Sequence, residues 1–311
     1  MKVSICIPTY NRPELLKEAL LSCINQTKHP FEILIGDDSK NDDSYHVVRD
    51  LQTQSAERGI EIIYKSNIPS LGQRDNVNKL IELASGDKFV LLHDDDLLLP
   101  DALETMAECF LENESTGVVY GDQYIIDNDG NLDEKSTILL NSSYFRTKEF
   151  EINQLNSIDA AIVQQFPNDG YMIDMPLVKS VKYAPEDSEN IGSAIDFYFG
   201  LRLAQTGVKF KYLNKYTTKY RITTVSIERQ GSDASYRAFK VLESLPYQGN
   251  DKLVDYKKLV LQKKVASATM MALKYVGRTE AAKIYFGKWH RKQILSARGL
   301  KRGLQIILNI I

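Results

Sequence analysis

The feature that most constrains this chain is an alternation in its first hundred residues. Short apolar, β-rich runs alternate with segments of helical spacing, and three of the four runs close on polar residues. "KVSICIPTY" ends at Pro8-Thr9-Tyr10. "RPELLKEALLSCINQ" follows with Pro13 and Glu14 in its first turn and Leu15, Ala19, Leu20 and Cys23 at helical spacing. "FEILIGDDS" closes on Asp37-Asp38-Ser39, a helix is predicted near residues 44–58, and "IEIIYKS" makes a third strand. A helix from Asn78 to Ala84 then leads into "KFVLLHDDD". Strands separated by helices of this length imply a parallel sheet with right-handed crossovers. Such sheets bind ligands beyond the carboxyl ends of their strands. The pattern therefore predicts an α/β, Rossmann-like, mainly parallel sheet flanked by helices, with separate polar clusters delivered to one rim.

Beyond Pro100 the signals are mixed. Residues 101–113 read as a helix, "GVVYGDQYIID" as a strand, "DNDG" as a turn, 196–206 as a helix and "VKFKYL" as a short strand. From about Ser235 the chain is mainly helical, and it becomes basic. Residues 251–311 hold 14 Lys/Arg against 3 Asp/Glu, which leaves −13 on the first 250 residues of a chain whose net charge is −2. An acidic body with a basic tail suggests two tasks. The 311 residues suit one large α/β domain or two sharing a cleft, and 43% apolar residues supply a core. Cys6, Cys23 and Cys109 have no metal-ligand spacing and read as small buried hydrophobes of a protein in a reducing cytoplasm. The first residues read as a strand, not a leader, and no stretch approaches a bilayer span. The expectation is a cytoplasmic protein, soluble or held peripherally at the inner face of a membrane.

Asp94-Asp95-Asp96 is the motif that carries chemistry. One aspartate after a strand is ordinary, as a helix cap or a solvated group. Three in a row repel one another unless a cation is present. Mg²⁺ or Mn²⁺ is typically held by one or two carboxylates, with substrate phosphates and water completing the shell. Asp38 can accept hydrogen bonds from a base or ribose, and Tyr10 offers an aromatic face for stacking. No Walker loop is present, and no GxGxxG follows the first strand, so a P-loop NTPase and a dinucleotide oxidoreductase are both disfavoured.

These residues also carry a resemblance. "VSICIPTYNRPELLKEALLSCINQT", "ILIGDDS", "LGQRDNVNKLIELASGD", "FVLLHDDDLLLPD" and "GVVYGDQYIIDNDG" look like successive motifs of the family 2 glycosyltransferases with a GT-A fold, over roughly residues 2–225. The resemblance implies inverting transfer of a sugar from a nucleoside-diphosphate donor, usually UDP-linked, to a hydroxyl of a glycan or lipid-linked acceptor. It implies nucleotide contacts at Pro8, Thr9, Tyr10, Asp38 and Arg74. The family's Asp-any-Asp motif, counted back from Pro100, makes Asp95 the principal metal ligand, with Asp96 beside it. The first position falls on His93, so Asp94 is the candidate to take over a ribose contact. In "GSAIDFYFGLRLAQTG" the position of the family's general base is Asp196, with Ile195 where relatives have Glu. Thr223 stands where many relatives place a metal-binding His. The implied division is a donor half at 1–96, an acceptor half at 97–230 and a helical extension at 231–311.

In the tail, Ala281, Ile284, Tyr285 and Trp289 recur at helical spacing among Lys283, Lys288, Arg291 and Lys292, which fits a helix in a lipid interface. The alternative is a helix packed on the body or on a second subunit. Nucleic acid is not expected as a partner, because the body is acidic and no recognition motif occurs. A homo-oligomer is left open. The rival function is a sugar-nucleotide-binding or scaffold protein without turnover, suggested by His93, Ile195 and Thr223.

Overall fold

The computed structural model describes residues 1–185, 194–222, 233–246 and 255–310. The chain divides into two compact units. The first comprises Met1–Pro185 and Phe199–Thr224; the second comprises Glu186–Tyr198 and Val225–Ile311.

The first unit contains the sheet. In chain order its elements are β1 (Val3–Thr9), α1 (Pro13–Ile24), β2 (Glu32–Asp37), α2 (Asp43–Glu57), β3 (Glu61–Ser66), α3 (Gly72–Leu83), β4 (Lys88–Leu91), β5 (Leu97–Leu98) and α4 (Ala102–Glu112). Then come β6 (Thr116–Ile126), α5 (Glu134–Ser143), α6 (Lys148–Ile152), α7 (Ser157–Ile162), β7 (Met172–Asp174), α8 (Met175–Val181), α9 (Ile195–Gln205, of which only the part from Phe199 belongs to this unit) and β8 (Lys209–Arg221). The eight strands form one sheet in the order β3-β2-β1-β4-β7-β6-β8-β5. β3, β2, β1 and β4 are parallel, as the alternation predicts. β7 runs antiparallel to both β4 and β6, and β6 pairs in parallel with β8.

The core follows the pleat. Val3, Ile5 and Ile7 of β1 and Ile33 and Ile35 of β2 join one buried cluster with Leu16 and Leu20 of α1 and Leu103 and Met106 of α4. Cys6, Leu34 and Leu91 alternate with that set and are also fully buried. Strands covered on both faces read as continuous apolar runs, which is why they were legible. All three cysteines are free and buried.

Three boundaries differ from the sequence reading. α3 starts at Gly72, six residues before the expected Asn78. β4 stops at Leu91, so His93 to Asp96 lie beyond the strand, with the short β5 following. β8 runs to Arg221, well past "VKFKYL". Its continuation, "NKYTTKYR", is polar, and a parallel partner with register shifts near Gly121 supplies the order its composition does not. A Cβ on Gly121 would lie 2.4 Å from the Lys215 carbonyl, so only glycine permits that approach.

The second unit is helical: α10 (Ala234–Ser244), α11 (Tyr256–Tyr275), α12 (Arg278–Phe286) and α13 (Ala297–Leu308). α10 and α12 both pack on α11, and α13 packs on α12. Ala281, Ile284 and Tyr285 are buried, so the apolar stripe read as lipid-facing is the packed face of α12 instead. The helix ends before Gly287, short of Trp289.

Candidate active site

The carboxyl ends of β1, β2 and β4 lie side by side, and Thr9 ties them together. Its carbonyl accepts from the Asp38 amide at 3.0 Å, and its hydroxyl donates to Asp94 Oδ2 at 2.7 Å. Pro8 is half-buried just before it, and Tyr10 just after it is exposed.

On the β2 side, Asp38 is buried. Its Oδ1 accepts from Asn67 Nδ2 at 2.9 Å and from the Leu71 amide at 3.1 Å. Asn76 supports this arrangement by donating to the Gly36 carbonyl at 2.7 Å and accepting from Asn67 at 3.1 Å. The fit is tight: a Cβ on Gly36 would meet Asn76 Oδ1 at 1.9 Å. Leu71 precedes α3, whose first turn carries Arg74, and Arg74 grips Asp75 through Nε and Nη2 at 2.8 and 2.9 Å.

Of the three aspartates past β4, two share Arg12 and the third is held elsewhere. Asp94 is 1% exposed and pairs with Arg12 Nη2 at 2.9 Å. Asp95, 17% exposed, pairs with Arg12 Nη1 at 2.7 Å. Asp96 is buried, and its Oδ1 accepts from the Arg221 amide at 2.7 Å. Its Oδ2 receives no hydrogen bond among the described residues and lies beside the buried carboxyl of Asp169. His93 sits over the same group, its Nδ1 3.9 Å from both Asp96 Oδ2 and Asp169 Oδ2, while its backbone amide donates to Asp169 at 2.9 Å.

The electrostatics follow from burial. Loss of water pushes the Asp94 carboxyl up to about 6, against the downward pull of Arg12. Burial, with Asp169 next, raises Asp96 well above the ordinary carboxylate range, and burial raises Asp169 also. Two adjacent buried carboxyls with an unserved oxygen call for a proton or a cation between them. One ligand atom from each of His93, Asp95 and Asp96 lies within 4.8 Å of the others, close enough to hold a metal ion. The donor set, an imidazole and two carboxylates, suits a divalent cation such as Mn²⁺ or Mg²⁺.

The sequence profile of glycosyl transferase family 2 matches residues 4–165, just over half the chain, including β1, β2, β4 and the aspartate triplet but not Asp169 or Arg221. The chain belongs to glycosyl transferase family 2. An uncharacterised glycosyltransferase of Methanocaldococcus jannaschii is 26% identical over 223 residues, 71% of this chain and 70% of that one. A GalNAc(5)-diNAcBac-PP-undecaprenol β-1,3-glucosyltransferase of Campylobacter jejuni is 35% identical over 43% of this chain, but the match spans only 41% of that enzyme. Among solved structures, the TarS fragment 1–349 of S. aureus in complex with UDP aligns with a TM-score of 0.57 at 16% identity, over 99% of this chain and 81% of that one. A mannosyltransferase of Pyrobaculum calidifontis, in complex with GDP-Man and Mn²⁺, aligns with a TM-score of 0.55 at 15% identity, over 98% and 87%. At such identities the likeness is one of fold, and that fold is GT-A.

For a family 2 glycosyltransferase the rim contains both expected and unexpected members. Thr9, Asp38, Asp94, Asp95 and Asp96 lie at or just beyond the ends of β1, β2 and β4. Asp196 occupies the first turn of α9 and is half-buried; Ile195–Tyr198 groups with the second unit and the rest of α9 with the first. Thr223 lies outside the described residues. Sequence reasoning missed Arg12, Asp169 and Arg221. Arg12 was findable, because three carboxylates at a strand end demand a nearby cation and "TYNR" supplies one three residues after Thr9. Asp169 had no such signal: it lies 76 residues from His93 and is brought there by β7. Arg221 is buried and donates to the carbonyls of Asp95 (2.9 Å), Asn128 (2.8 Å) and Asp127 (3.3 Å) and to Glu18 Oε2 (2.5 Å). Its segment, "KYRITT", drew notice only for Thr223.

Proposed function

We propose that this chain transfers a sugar, with inversion, from a nucleoside-diphosphate sugar to a hydroxyl of a glycan or lipid-linked acceptor. The observation that carries the reading is the meeting, at one sheet rim, of the polar strand ends at Thr9 and Asp38 with a buried carboxylate nest suited to a divalent cation. Pro8, Thr9, Tyr10, Asp38, Arg74 and Asp94 serve the nucleotide. Asp95 and Asp96, with His93, hold the cation, Mn²⁺ or Mg²⁺. Bound there, it supplies positive charge against the negative charge that develops on the leaving diphosphate. Residues 1–96 form the donor half, 97–230 the acceptor half and 231–311 the helical extension. Asp196 accepts the proton of the acceptor hydroxyl as the new bond forms, a role typically worth ~10²–10⁴-fold in rate. The transition state has oxocarbenium character, as in glycoside hydrolysis.

A UDP-sugar is the first donor to try. One TarS structure is a complex with UDP-GlcNAc, and the Campylobacter relative is named for a polyprenyl-diphosphate-linked acceptor. The test is a panel of UDP- and GDP-sugars with Mn²⁺, Mg²⁺ or EDTA, reading release of nucleoside diphosphate. Turnover dependent on the cation and lost in Asp196→Asn, with donor binding retained, is the expected result. Donor binding without turnover under every condition would instead favour the binder reading, which His93 and Ile195 motivate.

A further inference from the structure

The last helix of the second unit is oriented against the usual rule. A surface helix normally turns its apolar stripe to the core and its polar residues to water. α13, "ARGLKRGLQIIL", instead packs through its smallest residues. Gly299 is buried, its carbonyl accepts from Tyr285 Oη at 3.1 Å, and a Cβ there would meet the Gln293 carbonyl at 1.9 Å. A Cβ on Gly303 would lie 2.7 Å from the same Tyr285 hydroxyl. The two glycines, four residues apart, fix the rotation of α13 about its axis. That rotation buries Ile306 but leaves Leu300, Leu304, Ile307 and Leu308 between 52 and 62% exposed. These four share one face of the helix by spacing, and Leu295 (86%) before the helix and Ile310 (56%) after it are exposed as well. A contiguous apolar patch of this kind marks an interaction surface.

Charge identifies the partner. Residues 281–311 hold seven Lys/Arg and no Asp or Glu. Arg298 and Lys301 of α13 are exposed, as are Arg291 and Lys292 just before it. Arg302 is committed within the unit, donating to His290 Nε2 at 3.1 Å and to Gln293 Oε1 at 3.2 Å. Leucines and isoleucines bordered by Arg298 and Lys301, exposed cations with no ion pair among the described residues, match a surface that is apolar just beneath a negatively charged layer. A second copy docking through the same face would bring Arg298 and Lys301 against like charges. Among the described residues no helix is long and apolar enough to cross a membrane, so the helix would lie in the plane of the interface.

We propose that α13 docks the protein on an anionic lipid surface, with Leu300, Leu304, Ile307 and Leu308 in the acyl boundary and Arg298 and Lys301 at the headgroups. This is independent of the donor reading, and it moves the lipid contact away from α12, whose stripe is buried.

The experiment is co-sedimentation of the full chain with vesicles of phosphatidylcholine containing about a third phosphatidylglycerol, or of phosphatidylcholine alone. Expected are binding at least tenfold tighter to the anionic vesicles, and a loss of tenfold or more in the Leu304→Asp/Ile307→Asp variant. Both positions are solvent-exposed, and thermal denaturation of the variant checks that the fold is intact. Arg298→Gln/Lys301→Gln should weaken anionic binding several-fold, as should raised salt. No binding to either vesicle overturns the proposal, as does undiminished binding by the folded aspartate variant. A discrete dimer abolished by that variant, without vesicle binding, would assign the face to a second copy and overturn it equally.

Discussion

Arg12 offers the most informative single substitution, because it acts in opposite directions on stability and on metal affinity. Its guanidinium bridges Asp94 Oδ1 at 2.9 Å and Asp95 Oδ2 at 2.7 Å. Hydrogen bonds to charged groups contribute ~1.5–3 kcal/mol each. The Arg12 side chain is 36% exposed, so solvent screening favours the lower end. Arg12→Gln should therefore cost about 2–3 kcal/mol, the larger share from Asp94, which would stay buried with the Thr9 hydroxyl as its remaining side-chain donor. Thermal denaturation in EDTA should show a Tm lower by about 5 °C or more. The same change frees Asp95 Oδ2 for a cation. If the ion must displace a pair worth about 1.4 kcal/mol, removing that competitor tightens Mn²⁺ binding about tenfold. Calorimetric titration without donor measures that affinity, and Mn²⁺ should raise the Tm of the variant more than that of the parent. Unchanged stability in EDTA, or weaker Mn²⁺ binding by the variant, would refute the reasoning.

Asp122 provides a test of pH dependence away from the proposed cation. Burial holds its carboxyl up to about 6, above the ordinary 3.8, despite hydrogen bonds from Tyr212 Oη (2.7 Å) and Asn214 Nδ2 (3.0 Å). The fold thus favours the neutral acid: its contribution is complete below pH ~4 and declines by about 3 kcal/mol as the pH rises through 6. Asp122→Asn removes that slope, so its stability relative to the parent should improve from pH 4 to pH 7; parallel Tm–pH curves would contradict this. Arg221→Met strands the backbone carbonyls of Asp95 and Asn128, while Asp127 keeps the Gly130 amide, and should cost ~2 kcal/mol or more in chemical denaturation, with Arg221→Lys recovering only part because an ammonium lacks the planar fork. An unshifted midpoint for the Met variant would count against it. Gly36→Ala must push Asn76 aside and so loosen Asn67 and Asp38; a loss of ~1–3 kcal/mol is expected, and an unaltered Tm would show that the asparagine yields freely.

The sequence revealed most where a strand is buried on both faces. β1, β2 and β4 announced themselves as apolar runs, and their polar ends named Thr9, Asp38 and the aspartate triplet. Less was visible where pairing supplies the order. β7 is three residues long and β5 two, too short for any period to register. The polar end of β8 is a strand because β6 lies beside it. The helical stripe at Ala281, Ile284 and Tyr285 was read correctly as apolar but assigned to the wrong surroundings, since periodicity gives a face and not what covers it. Likewise, the missing members of the carboxylate nest are residues that tertiary structure delivers. Asp169 and Arg221 are 73 and 125 residues from Asp96, and nothing local marks them.

The division of labour at Asp94-Asp95-Asp96 has a consequence for how the triplet tolerates change. By formal charge the three are copies of one another, and a tally would treat any one as a spare. Each carboxylate instead has an address: one locked to the last residue of the first strand, one at the solvent edge, one turned inward beneath the histidine. A neighbour cannot stand in for a lost member, because it cannot rotate into a slot the chain has already assigned elsewhere. Apparent redundancy in the text of the sequence is, in space, three unrepeated positions.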